Sequence, residues 1–538
     1  MIHDLWYKNA IVYSLDVETF LDSDGDGCGD FEGLARRLDY LEALGVNAVW
    51  LAPFQSSPRR DDGYDISDYY CVDPRFGSGG DFVEFIREAD SRGIRVLIDL
   101  VVNHTSIRHS WFRERPDWYV WSKKKPPNAT SGVVFPGEQQ STWSFDKERR
   151  AYYFHRFYDF EPDLDMDDPH VREEVRRIMG FRVQLGVAGF RMDAVPFVLE
   201  TVPRGRGKGQ VHYEYLEEFR DFLQWRSGEA VLLGEANVPP QESQPFFRDG
   251  LHMMFNFWVN QHLFLSLASR DARPLAAALR ATRKLPPTAQ WAQFLRNHDE
   301  LDLGRLSPAE RKICFEQFGP EPAMQLYGRG IRRRPAPMFG DARRLRLAYS
   351  LVLSLPGTPV LRYGDEIGMG EDLRLRDRTA IRTPMQWSAE RNAGFSTAEK
   401  LIRPVVTDGV YGYEMVNVEQ QRRDPSSLLA WTARMIRLRK QCPEIGWGEW
   451  RVVPTGSSAV LALQYRWRGN TMVCVHNLDD GAREARLRVG ERKLTDLLDA
   501  DELHSRPGGV HRVPLEPYGY RWFRLGDLDQ ALARREVD

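Results

Sequence analysis

Cysteine is scarce in this 538-residue chain, and the little there is forms no pattern. The five residues Cys28, Cys71, Cys314, Cys442 and Cys474 are odd in number, widely spaced and without a CxxC pair. That argues against a disulfide framework, a thiolate zinc site and dithiol redox chemistry, and reduced thiols in a cytoplasm are expected. Long apolar runs are missing as well. No window approaches the ~18 uninterrupted apolar residues of a membrane span, and "MIHDLWYKNAIVYSLD" scatters charge where a secretory leader would be apolar. A surplus of one charge sign is also absent: the formal net charge is −3 with 28% charged residues. Neither nucleic acid nor an anionic membrane is therefore an expected partner. The basic run Arg332-Arg333-Arg334 is expected to be a solvated helix face or loop, and the sequon Asn128-Ala129-Thr130 a chance match. No repeat or low-complexity tract occurs, and "GRGKG" lacks the spacing of a phosphate loop.

What is present is alternation. Short β-branched and aromatic runs ("NAIVYSLDV", "VNAVWLAPF", "RVLIDLVVNH", "AGFRMDAV", "AVLLGEANV", "MMFNFW", "AQFLRNHDE", "TPVLRYGDEIG") are separated in several places by amphipathic helical patterns such as "FEGLARRLDYLEALG" and "VREEVRRIMGFRVQLG". Continuous apolar strands between helices mark a parallel sheet covered by helices. Eight of them fit an α/β chain closed into a (β/α)₈ TIM barrel. An open doubly wound sheet would call for a glycine-rich phosphate turn after the first strand, and "DVETFLDSDGDGCGD" is not one. The barrel is assigned to residues 1–104 and 166–450. Residues 105–165, rich in Trp, Tyr, Pro and charge, form an inserted domain B after the third strand, and 451–538 alternate at period two as an antiparallel C-terminal β-sandwich.

Polar residues gather where the strands finish: Asp99, Asn103 and His104; Arg191 and Asp193; Glu235; His298 and Asp299. In a barrel these ends share the face that carries the active site. Any one carboxylate alone would be a cap or a solvated side chain. Three of them with two histidines and an arginine fit glycoside cleavage with retention. Asp193 is the candidate nucleophile, Arg191 the cation expected to lower its pKa, and Glu235 the candidate acid/base.

The stretches "DLVVNH", "GFRMDAV", "GEANV" and "FLRNHDE" resemble, in order, the four signature regions of glycoside hydrolase family 13, the α-amylase family. The resemblance implies a retaining α-glucoside mechanism with Asp193 as nucleophile, Glu235 as acid/base and Asp299 holding sugar hydroxyls, while His104, His298 and Arg191 line the same subsite. It further implies that Asp65 in "DDGYDISDYY" grips a terminal glucose with Arg382 of "RTPMQW", so that small α-glucosides such as maltose are the expected substrates. Within the family the likeness is nearest to the trehalose synthases, which isomerise maltose to trehalose by intramolecular glucosyl transfer. "YYFHRFYDFEPDLD", "GIRRRPAP" and "RTPMQWSAERNAGFS" are among the matching stretches. One element of that branch, Asn-Leu-Pro-Glu-Thr-His beside the acceptor glucose, is absent here, where "LETVPRGRGKGQVHYEYLEEF" stands instead. An α-glucosidase or amylase-type hydrolase, or transfer to another acceptor, therefore stays open. A non-catalytic sugar-binding relative is the remote alternative, and the three carboxylates argue against it.

"DSDGDGCGD" sets Asp22, Asp24, Asp26 and Asp30 close together, a density of hard oxygens that suits Ca²⁺, although Gly33 stands where an EF-hand needs its glutamate. The stretch resembles the calcium loop of trehalose synthases and oligo-1,6-glucosidases, which implies a structural ion with Cys28 offering its carbonyl. A second calcium is implied by likeness at Asn103, Asp163 and Glu200 through side chains and at Phe197 and Val198 through carbonyls. No organic cofactor is expected, and the family likeness allows a homo-oligomer.

Overall fold

The structure, a computed structural model, describes residues 3–202, 209–248, 250–490 and 492–525. Eight strands form a closed parallel barrel: β1 (Val12–Leu15), β2 (Ala48–Leu51), β3 (Arg95–Leu100), β4 (Gly189–Met192), β5 (Val231–Gly234), β6 (Met253–Phe255), β7 (Gln290–Phe294) and β8 (Thr358–Arg362). Each pairs in parallel with its sequence neighbours, and β8 closes on β1. The expected α/β barrel is thus what forms.

Both faces of each strand are covered, which is why the runs read as unbroken apolar stretches. Alternate residues nonetheless go to different cores. Val12, Leu97, Val231, Leu233, Phe255 and Phe294 fill the barrel interior. Val49, Ile98, Leu232 and Met254 face outward against the helices. Those helices begin where local chemistry starts them. Ser78 and Asp81 form a capping box for Gly79–Ser91, and Asp168 caps Pro169–Gln184 with proline in the first turn.

The insert carries a small antiparallel sheet in which Ala151–Phe154 lies between Trp121–Ser122 and Trp143–Asp146. At the C-terminus a six-stranded sheet beginning at Glu449–Val452 packs on a two-stranded antiparallel sheet of Arg483–Leu487 and His511–Leu515. Val460, Val473, Ala485, Leu487, Val513 and Phe523 fill the space between them.

Two features depart from expectation. After β7 the chain makes an excursion of three short antiparallel strands, Leu301–Asp302, Gln325–Leu326 and Gly330–Ile331. The Arg332-Arg333-Arg334 run is not a solvated face. Arg334 is buried, donating to the carbonyls of Tyr363 and Ile381, and Arg333 pairs with Glu371. The carbonyls and carboxylate of the loop after β8 need donors where water does not reach, and the guanidinium groups supply them. Among the described residues no helix is long and apolar enough to cross a membrane.

Candidate active site

The strand ends open onto a cavity of about 440 Å³ at the C-terminal mouth of the barrel. Tyr64, His104, Asp193, Glu235, His298 and Asp299 are in its wall. The interior core sets its floor: Trp50 of β2 meets the His298 ring edge-on and lies under the Arg191 guanidinium.

Arg191 is the hub. The β3–β4 register sets it opposite Asp99, and its Nη1 donates to Asp99 Oδ1 at 2.8 Å and to Asp193 Oδ1 at 2.6 Å. Its Nη2 lies 2.7 Å from Glu235 Oε2. The ladder continues past the strands, with the Asp193 amide donating to the Leu100 carbonyl and the Glu235 amide to that of Met192. Ala194 follows Asp193 in the left-handed region at φ 48° and ψ 38°, a conformation costing ~1–3 kcal/mol in a non-glycine residue. That turn swings the chain from β4 into Val195–Val198, whose proline suits a first helical turn. Asp193 is left at the cavity rather than in the barrel.

The carboxyls separate into two electrostatic classes. Burial pushes Glu235 up to about 7, and the charges of Asp193 and Asp299 add to it while Arg191 pulls the other way. Burial likewise raises Asp193 to about 6 against the pull of Arg191. The expected net lowering of Asp193 is therefore corrected: desolvation outweighs a cation that three carboxylates share. Asp299 is the opposite case. Burial works against its charge, yet Arg378 and Arg382 together hold it well below the usual carboxylate range. Arg378 Nη1 lies 2.6 Å and Arg382 Nη2 3.1 Å from its Oδ1.

Both histidines are neutral. Burial pushes His104 down to about 4 and His298 well below the ordinary imidazole value. Tyr64 stacks on His298 with the rings 5.5 Å apart. Its hydroxyl donates to Asp99 Oδ2 at 3.0 Å and lies 2.7 Å from His298 Nε2. Since that hydroxyl has one proton, Nε2 must carry the hydrogen of His298. His104 Nε2 and Glu161 Oε1 are buried, 3.9 Å apart and without hydrogen-bond partners. Of the two residues, only His104 reaches the cavity wall.

Asp65 is not the partner of Arg382. It is fully buried, accepting from the Ser57 hydroxyl at 2.8 Å and from the amides of Arg60 and Asp61, and so it ties off its own loop. Asp62 is the partner, bound by Arg382 and by Arg403. Asp61 lines the cavity. Asp61, Asp62 and Asp65 lie within five residues of chain, and spacing alone could not choose among them. Arg378 and Tyr64 were also missed, the first because nothing in "RDRTAIRTP" distinguishes it from the arginines around it.

Carboxylate oxygens of Asp22, Asp24 and Asp30 lie within 4.8 Å of one another. Asp26 turns instead to the amide of Cys28, whose thiol is buried and pushed up to about 12. Three hard anionic oxygens on one loop fit Ca²⁺. At the second position Asp163 is buried and pushed up to about 7, with Asn103 hydrogen-bonded to it. Glu200 is already paired with Arg156 at 3.0 Å, and the Arg156 guanidinium lies over the ring of Phe197, which precedes Val198 on the helix Val195–Val198. This set fits a cation only if Glu200 releases Arg156.

A family model described as the α-amylase catalytic domain matches residues 16–312 and 332–448, and a sucrose hydrolase-like C-terminal domain matches 469–524. The chain is 42% identical over 546 residues to a trehalose synthase of Thermus thermophilus, covering 98% of this chain but 56% of that one. It is 38% identical over 556 residues to the trehalose synthase/amylase TreS of Mycolicibacterium smegmatis, covering 97% of this chain and 93% of the relative. Among solved structures it is similar to the trehalulose synthase MutB of Pseudomonas mesoacidophila, with a TM-score of 0.76, 25% identity, and coverage of 97% and 99%.

Proposed function

The chain belongs to the α-amylase family, glycoside hydrolase family 13, and from that premise we propose that it isomerises maltose to trehalose through a glucosyl ester on Asp193. Glu235, held protonated by burial, gives its proton to the glycosidic oxygen as Asp193 attacks the anomeric carbon. The C–O bond of the glycoside breaks and the reducing glucose leaves with that proton. The ionised Glu235 then takes a proton from the anomeric hydroxyl of the retained glucose. That oxygen attacks the same carbon and frees Asp193. Two inversions give retention, and no water is consumed.

The observation that carries this reading is the coupling of Asp193 and Glu235. They share one guanidinium and are hydrogen-bonded to each other, which supports a nucleophile and an acid rather than two groups spaced to hold a water. Asp299, kept anionic, is suited to accept from ring hydroxyls. Asp61 in the cavity wall, next in the chain to the Asp62 that Arg382 binds, supports a substrate with one terminal glucose. For the isomerase branch the support is the likeness to trehalose synthases. A hydrolytic reading is favoured by one observation, the missing acceptor element in residues 199–219, of which 203–208 lie outside the described residues.

The test is product analysis after incubation with maltose. Trehalose well above free glucose is expected; glucose alone would make the enzyme an α-glucosidase.

We also propose that Ca²⁺ bound by Asp22, Asp24 and Asp30 stiffens the loop whose last residue caps the helix Phe31–Ala35. Chelation is then expected to lower Tm, since an ion at 100 times its Kd contributes about 2.7 kcal/mol. An unchanged melting curve, with no calcium in the purified protein by elemental analysis, would dismiss this site.

A further inference from the structure

The cavity wall beyond Glu235 is built, apart from Asn237, by residues outside the four motifs, and those residues tie the insert to the excursion after β7. Arg329 sits in the turn between the short strands Gln325–Leu326 and Gly330–Ile331, after Tyr327 and Gly328 at positive φ. Its Nη2 crosses to the insert and donates to the Val134 carbonyl at 3.0 Å, while its Nε lies 3.6 Å from Asp302 Oδ1. The other oxygen of Asp302 accepts from Asn237 Nδ2 at 2.9 Å, two residues after Glu235. Next to Val134, Phe135 packs against Tyr158 at 5.0 Å and Tyr327 at 5.2 Å. The Arg378 guanidinium that binds Asp299 lies 4.9 Å from the centre of its ring. Val134, Phe135, Asn237, Asp302 and Arg329 all line the cavity.

We propose that Arg329 is a positioning residue that latches the insert over the acceptor side of the cavity, and that Asp302 and Asn237 bind the hydroxyls of the glucose released there. The proposal rests on the isomerase reading above and specifies how that reaction keeps its leaving group. A sugar is recognised by charged and amide groups that accept from and donate to its hydroxyls, with an apolar ring against its face. Asp302, Asn237 and Phe135 supply those parts. Intramolecular transfer succeeds only if the freed glucose reorients faster than it escapes or water enters. A wall made from two separate chain excursions provides that confinement, and Arg329 is a side chain in contact with both. The latch is an ion pair at Asp302 and a hydrogen bond to a backbone carbonyl of the insert, a two-point contact that lysine, a point charge, does not reproduce.

The experiment measures the trehalose-to-glucose ratio formed from maltose by the wild type, Arg329→Ala and Asp302→Asn, with Tm recorded for each. Fluoride release from α-glucosyl fluoride, which needs no acceptor sugar, normalises for the first half-reaction. Loss of one charge-assisted contact is expected to lower the ratio about 10-fold in Arg329→Ala. The variant should also incorporate more labelled glucose from the medium into trehalose. Where Arg329→Ala melts early, Arg329→Met, which keeps the aliphatic stem, carries the same test. A wild type that makes trehalose and a folded Arg329 variant with the same ratio would overturn the latch alone. A wild type that makes only glucose would overturn the isomerase reading, and the latch with it.

Discussion

Asp193→Asn is expected to lower maltose turnover at least ~10⁴-fold while the protein stays folded. The amide keeps the shape of the side chain but cannot form the glucosyl ester. Arg191 retains Asp99 and Glu235 as partners, so the hub does not collapse. The stability effect has a definite sign. Burial raises the Asp193 carboxyl to about 6 in the folded state, from an ordinary value of 3.8. Such a group favours the fold in its protonated form, and that contribution is lost as pH rises through about 6. At pH 7 the ionised Asp193 carboxylate therefore costs stability, and the neutral asparagine should melt at the same temperature or higher. The difference should shrink as the pH falls toward 4. Product chromatography and melting curves at the two pH values check both halves. Activity like that of the wild type in the purified variant would refute the nucleophile assignment.

The residues of the proposed catalytic constellation could be picked out because they are conspicuous where they stand. A carboxylate at the end of an apolar run is rare, and Asp193, Glu235 and Asp299 each end a run that becomes a barrel strand. The barrel itself could be read from runs that are apolar on both faces, although the split of Leu97 to the interior and Ile98 to the helix layer could not. Which carboxylate meets Arg382 was illegible for a different reason. Asp62 and Asp65 are equivalent in composition and differ only in how the loop turns, and Ser57 and two amides draw Asp65 inward. The excursion after β7 was missed because strands of two residues have no periodicity to detect. The net pKa of Asp193 was beyond sequence altogether. Reading "RMD" reveals the nearby cation but not that Asp99 and Glu235 share it, nor how deeply Arg191, Asp99 and Asp193 are buried. Local chemistry was thus readable, and the sharing of partners across the barrel mouth was not.

Glu235→Gln is expected to slow maltose turnover by ~10²–10⁴-fold, the usual worth of general acid catalysis. On α-glucosyl fluoride, whose leaving group needs little protonation, the first half-reaction should largely recover. The pH profile sharpens the assignment. In the wild type kcat/KM should rise as the nucleophile ionises near about 6 and fall as the acid loses its proton near about 7. The apparent values belong to the coupled pair, so the bell should be narrow. Glutamine cannot titrate, so the alkaline limb should vanish from glucosyl fluoride turnover while the acid limb persists. An alkaline limb that survives the substitution would belong to another group and would remove Glu235 from the acid role. The prediction follows from where the charges sit. Burial, with the anionic Asp193 and Asp299 beside it, holds the Glu235 proton on, and Arg191 offsets that only in part because it is divided among three carboxylates. In the proposed mechanism, forming the glucosyl ester would remove the Asp193 charge and let the Glu235 pKa fall. The residue then leaves the first step as a carboxylate, ready to take a proton from the incoming hydroxyl.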